Sequence, residues 1–239
     1  MRKLIVYFTS IITFVNTYGQ SLDFAIINDK TGFVHVHSTK ELINDNIVDK
    51  LENGFVINCL ERDGLWIAIR YERNDADLVG FIFRDQLRDF TNFSEVRGRV
   101  EKSNEFKMFN KNIEIVVSDK QFNASEHSII YYEKYKGVIE KIDAKEIFGT
   151  DGDLPKREYN ALQIKVNGVK VDLPKAAIQN LYEPTLEYTV AYFDEKSQRL
   201  YIRSDNSDWS AAYAVIWVIE KGKFKQRCIG VAAKFTGAK

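Results

Sequence analysis

Proline is scarce in this chain, with 3 in 239 residues, and cysteine and methionine number only 2 each. So little proline excludes a polyproline rod or a Pro-rich linker, and two cysteines exclude a disulfide-dense scaffold. Net charge is missing as well: Lys+Arg and Asp+Glu are both 34, which gives a formal charge of zero. No basic field exists to hold a phosphate backbone or an anionic membrane surface, so nucleic acid is not an expected partner. What the chain does have is apolar and aromatic: 45% hydrophobic residues, with 12 Tyr, 16 Phe and 3 Trp. That balance favours pleated strands, and the length suits two small domains at roughly 100 to 200 residues each.

The amino terminus reads as a targeting signal. Arg2 and Lys3 precede the apolar run Leu4 to Val15, and Thr17-Tyr18-Gly19 closes it with small or polar residues. A core this short falls below the ~20 residues that a helix needs to cross the hydrocarbon layer, so cleavage after Gly19 is expected, with no membrane span in the mature chain. Export permits disulfides. Cys59 and Cys228, however, sit in apolar, strand-like stretches of two different expected domains. Both are expected to be free, as small buried hydrophobes.

From Phe24 to Leu87 short apolar runs alternate with turn residues, the pattern of a small antiparallel barrel or sandwich. Four pieces stand in order: Asp29-Lys30-Thr31-Gly32-Phe33-Val34, Glu52-Asn53-Gly54, Asp63-Gly64-Leu65-Trp66-Ile67-Ala68-Ile69 and Gly80-Phe81-Ile82. Together they resemble the bacterial SH3-like domains of exported proteins, over residues 20 to 90. The resemblance implies a small barrel with a shallow cleft, for which Trp66, Tyr71 and Phe81 are the nearest ligand-binding candidates; Trp66 and Phe81 could equally fill the core. One departure is His35-Val36-His37, where the family has Asn-Val-Arg. Two imidazoles two positions apart share a strand face, which either is a solvated face or offers two ligands to a metal with no third in sight.

Residues 91 to 112 are polar without a clear period and read as the junction between the domains. From 113 to 235 the chain is again β-rich, a meander with one short helix. The clearest piece is Leu162 to Leu173, where an Asn167-Gly168 loop places 166 opposite 169 and 164 opposite 171, with six apolar residues on one face of a type I′ hairpin. Pro174 to Asn180 is the expected helix. Ala211 to Ile219 is apolar throughout and reads as a central strand buried on both faces. This region resembles a group of exported bacterial proteins with no assigned activity, which share a Gly-x-Asp-Gly loop (Gly149 to Gly152), the hairpin and a Tyr-x-Val-x-Trp strand (Tyr213 to Trp217).

Chemistry is sparse. No Gly-x-Ser-x-Gly occurs, and the second domain holds one histidine, His127, and one cysteine, Cys228, without a nucleophile and base in recognisable order. Two acidic loops, Asp151 to Asp153 and Asp205 to Trp209, are explained by turn chemistry, although Asp205, Asp208 and Trp209 together also make a candidate binding loop. Nothing calls for a cofactor or a closed metal set. The expected function is therefore that of an exported, non-enzymatic binding protein, whose SH3-like module holds a cell-wall peptide or envelope protein and whose second domain contacts another partner. The alternatives are an envelope-polymer hydrolase using Asp or Glu, and an inhibitor or immunity protein that blocks a partner enzyme. Mass spectrometry of the native protein tests export: the chain should start at or within a few residues of Gln20, and an intact Met1 in a cytoplasmic fraction would refute it.

Overall fold

Apolar residues at every second position give the first unit its strands, and in the computed structural model these strands pair into one antiparallel sheet. The structure describes residues 23–73, 76–207 and 209–231; the expected signal segment lies outside them. The strands are β1 (Asp23–Ile27), β2 (Phe33–His37), β3 (Ile47–Glu52), β4 (Val56–Asp63), β5 (Trp66–Arg73), β6 (Ala76–Phe83) and β7 (Leu87–Arg88), in the spatial order β3-β2-β6-β5-β4-β1-β7. Ile27, Val34, Val36, Leu51, Ile57, Ile67, Ile69 and Ile82 meet in one buried cluster. Leu51 near one edge of the sheet and Leu87 at the other both pack there, so the sheet curls around a single core.

The second unit is two five-stranded sheets packed over one core. One sheet holds β9 (Gly98–Lys102), β10 (Glu105–Phe109), β11 (Ile113–Gln121), β14 (Arg157–Val166) and β15 (Val169–Lys170). The other is the meander β16 (Thr189–Asp194), β17 (Arg199–Asn206), β18 (Tyr213–Glu220) and β19 (Lys223–Val231), with β8 (Ser94–Val96) added at its edge against β16. Ile115, Val117 and Ile164 from the first sheet bury against Ile202, Val215 and Trp217 from the second. A separate two-stranded ribbon, β12 (Ile129–Tyr131) with β13 (Ile139–Ile142), stands on its own small cluster around Phe122 and Tyr182. The chain is thus mainly β, and its helical turns are all three-residue 3-10 turns among the described residues.

Two expectations change. The polar segment 91 to 112 is not an irregular junction, because β8, β9 and β10 lie within it. Its apolar period is only Phe106 and Met108, both buried; the edge strand β9 is exposed throughout, so its charged residues conceal it. The link between the units is instead Asp89 to Phe93, where Phe90 and Phe93 pack on Tyr201. The helix expected from Pro174 to Asn180 shrinks to a 3-10 turn at Lys175–Ala177. Trp217 Nε1 donates to Ala177 O at 2.6 Å and Arg227 donates to Ala176 O at 2.6 Å and Gln179 O at 3.0 Å, so sheet side chains take up carbonyls that a longer helix would keep for itself.

The hairpin and the central strand appear where the sequence puts them. Asn167 (φ 53°) and Gly168 (φ 78°) both adopt the left-handed conformation that a type I′ turn needs, Val166 pairs with Val169, and Val171 N donates to Ile164 O at 2.9 Å. Val169 itself stays exposed at the tip. Every residue of β18 from Tyr213 to Ile219 is buried. Tyr213, Val215, Trp217 and Ile219 face the sandwich core, while Ala214, Ile216 and Val218 face the first unit.

The two units therefore share a third core, in which Phe24, Ile26 and Val56 on the outer face of the first sheet bury against Tyr201, Ile216, Val218 and Cys228. Gln226 crosses the seam: its side-chain amide donates to Val56 O at 2.8 Å and its carbonyl accepts from Val56 N at 3.0 Å, taking the place of a neighbouring strand. Cys59 faces the first core and Cys228 the seam, both as free thiols. Burial pushes the Cys59 thiol up to about 12 and Cys228 higher still.

Gly230 marks the closest approach at this seam, since a Cβ there would stand 2.6 Å from the Phe24 ring and 2.8 Å from Asn58 Nδ2. Gly230→Ala should lower stability by about 1 to 3 kcal/mol through overpacking. Denaturant unfolding followed by Trp66 and Trp217 fluorescence should remain one transition; a stable variant, or separate transitions for the two units in the parent, would contradict the shared core.

Candidate functional sites

On β5 the alternation sends Ile67, Ile69 and Tyr71 inward and leaves Trp66, Ala68 and Arg70 on the outer face. Trp66 pairs with Phe83 and Ala68 with Phe81 across β6. The Trp66 and Phe83 rings stack at 4.2 Å, and His37 meets the Trp66 ring edge-on at 5.3 Å. Trp66, Phe81 and Phe83 are each half-buried, so they form a covered shelf on the surface and leave the core to Ile67, Ile69 and Ile82. Leu65, next to Trp66 in the chain, is 66% exposed, and Leu42 in the Ser38 to Asn46 loop is 74% exposed. Lys40 reaches from the Ser38 to Asn46 loop to Asp63 at 2.6 Å, with its ammonium 5.6 Å from the Phe81 ring centre.

Two candidates separate from this face. Tyr71 lies in the core with 2% exposure; its hydroxyl donates to Asp49 Oδ2 at 3.1 Å, and burial, then that hydrogen bond, pushes its phenol upward. Parity along β5 accounts for the correction, since Tyr71 is in phase with Ile67 and Ile69. His35 is exposed and His37 buried. Asn46 Oδ1 lies 2.7 Å from His37 Nδ1, while the Asn46 amide nitrogen donates to Thr39 Oγ1 at 2.8 Å and Glu41 O at 2.9 Å. The loop closes over one imidazole and leaves its neighbour in solvent, so the pair does not converge. Among the described residues no group of three or more His, Cys, Asp or Glu is placed to hold a metal.

The two acidic loops come together. Ser210 Oγ donates to the Asp151 carboxylate, and Ser207 Oγ donates to Gly149 O at 3.0 Å. Between them opens a cleft of about 680 Å³, lined by Asp151, Asp153, Lys156, Glu183 and Tyr188 among others. Asp205 is not part of it. Strand period places Asp205 on the seam face of β17 beside Arg203, which donates to it at 2.8 and 3.0 Å. Asp208 and the Trp209 side chain lie outside the described residues.

A third cluster was not read from the sequence. Asp143, left-handed at φ 53° after β13, accepts from the Ser128 amide at 2.9 Å through Oδ1 and lies 2.7 Å from His127 Nδ1 through Oδ2. Phe122 stacks on the imidazole at 4.7 Å. Nε2 of His127 sits 3.4 Å from Glu158 Oε2, buried and without a hydrogen bond. Lys120, paired with Glu158 across β11 and β14, holds Glu158 Oε1 at 3.1 Å. The cluster lines a cleft of about 440 Å³ whose far wall is the segment 175–182. One carboxylate fixes one imidazole nitrogen and a second lies beside the other, so the ring is held in place between Asp143 and Glu158 at the edge of the cleft. The residues lie 16 and 31 positions apart, so no local motif announced them; only the lone histidine of this region was visible.

The chain matches no family model, no curated protein and no solved structure.

Partial burial of Asp143 opposes its ionisation, but hydrogen bonds from His127 and the Ser128 amide, with the charges of His127 and Lys145, outweigh it and hold the carboxyl below its ordinary value of 3.8. The stabilisation is complete above that value and is lost as pH falls through the lower folded one. Asp143→Asn should therefore cost no more than about 1 kcal/mol at pH 7, because half of this side chain is in solvent. Parent and variant should converge in strongly acid solution; a gap in their urea midpoints that persisted there would assign the effect to packing.

Proposed function

We propose that this protein is an exported, non-enzymatic binding protein, in which an SH3-like first unit holds a peptide from the cell wall or from an envelope protein on the shelf of Trp66, Phe81 and Phe83. The observation that carries this reading is the Trp66 and Phe83 stack on the outer face, with exposed Leu65 next to Trp66 in the chain. Stacked aromatics in a fixed frame offer large contact area at low entropic cost, and grooves of this kind suit extended peptides. Lys40, beside Phe81, adds a cation at the rim. A second partner could meet the β12 to β13 ribbon, where Tyr131, Tyr132 and Tyr135 are exposed.

A hydrolase reading rests on Asp151, Asp153 and Glu183 around the 680 Å³ cleft, since carboxylate pairs can cleave glycosidic bonds unaided. Purified residues 20 to 239 should be incubated with peptidoglycan and envelope extract, and both bound material and soluble fragments measured. Binding without turnover is expected. Because Trp66 is half-buried, Trp66→Ala should cost about 1 to 2 kcal/mol of stability yet lower capture at least about tenfold. Undiminished capture by folded Trp66→Ala and Phe81→Ala variants would remove the shelf from the function, and fragment release abolished by Asp151→Asn or Asp153→Asn would establish the hydrolase.

A further inference from the structure

We propose that the cleft at His127 binds a small organic anion, a molecule of monosaccharide size carrying one carboxylate or phosphate group, held between Lys145 and Lys175. This site is separate from the Trp66 shelf and does not depend on it.

Two of the cationic groups at the cleft are already matched: Lys120 lies beside Glu158 and Glu126, and His127 beside Asp143. Lys145 and Lys175 also line the cleft, one from the turn after β13 and the other from the facing wall. Neither forms an ion pair among the described residues; Lys145 donates to the neutral side chain of Gln179. The lining itself carries three lysines against two carboxylates, with Glu126 outside it 3.5 Å from Lys120, so Lys145 and Lys175 are the cations left to meet a ligand. At its base Nε2 of His127 is buried 3.4 Å from Glu158 Oε2, so the imidazole forms part of the cleft wall and reports on what enters it. Ile142, Ile178 and Leu181 supply an apolar wall, and Asn160 and Gln179 add amides. A volume of about 440 Å³ falls in the range of small-molecule sites.

The walls are fixed before any ligand arrives. Trp217 and Arg227 hold the 175 to 180 segment from below through its carbonyls. The Asn180 side chain donates to Glu146 O at 2.8 Å, and Phe148 N donates to Asn180 O at 3.1 Å, so the two walls are tied to each other. A preformed cleft avoids the ordering cost that weakens binding by mobile lysine side chains.

The full chain should be titrated with D-glucuronate, glucose 6-phosphate and neutral glucose, with the His127 imidazole followed by NMR and assigned by its loss in His127→Gln or, if that variant does not fold, by through-bond correlation. One or both acids should move the His127 signals saturably while glucose does not, and the acid that binds decides between carboxylate and phosphate. Lys145→Ala with Lys175→Ala should weaken binding at least about tenfold with folding preserved. Raising salt from roughly 50 to 300 mM should weaken it as well. No saturable shift with either acid up to about 20 mM, equal response to glucose, or unchanged binding by the double-lysine variant would overturn the site.

Discussion

The double burial of one sheet is the constraint on which the rest of the structure depends. Strand β18 has no exposed side from Tyr213 to Ile219, so its sheet needs a cover on each face. The sandwich partner supplies one, and the outer face of β1 and β4 supplies the other. At about 1.5 to 3 kcal/mol for each large apolar side chain removed from water, neither face could be left open without losing a large fraction of the stability typical of a folded domain. The first unit is therefore part of the hydrophobic closure of the second.

The same sheet sets the shape of the His127 cleft. Trp217 projects from β18 into the sandwich core, and its indole N–H reaches through to Ala177 O. Arg227 on the adjacent β19 reaches the same segment. A core residue and a partly exposed one thus position a wall that neither of them lines. Glu158 and Tyr159 divide in the same way: Glu158 meets His127 at the cleft, and Tyr159 turns inward, its hydroxyl 2.9 Å from Asn206 Oδ1 and its ring edge-on to Trp217. Alternation along β14 separates packing from chemistry by one residue.

Legibility in the sequence followed the strength of the local signal. The Asn167-Gly168 hairpin and the apolar run of β18 were legible because turn chemistry and period act over a few residues. Most strands of the first unit were legible for the same reason, and the outward position of Trp66 was implicit in its phase relative to Ile67 and Ile69. Strands β8 to β10 were not, since a charged edge strand carries no apolar period and Phe106 with Met108 is too short a run to stand out. The helix at Pro174 failed because its carbonyls are taken by residues about 40 and 50 positions further on. The His127 cluster depends on register between distant strands and on the left-handed turn at Asp143, neither of which composition records.

The two thiols lie on opposite faces of strands that meet at the seam, one inside the first core and one covered only when the units dock. A raised pKa leaves almost no thiolate at neutral pH, and burial denies access to an attacking sulfur. The joined form is therefore chemically silent toward oxidants and mixed disulfides, whereas a chain caught with its first unit folded and its second undocked would present Cys228 alone. Docking of the two units thus doubles as chemical protection of the Cys228 thiol.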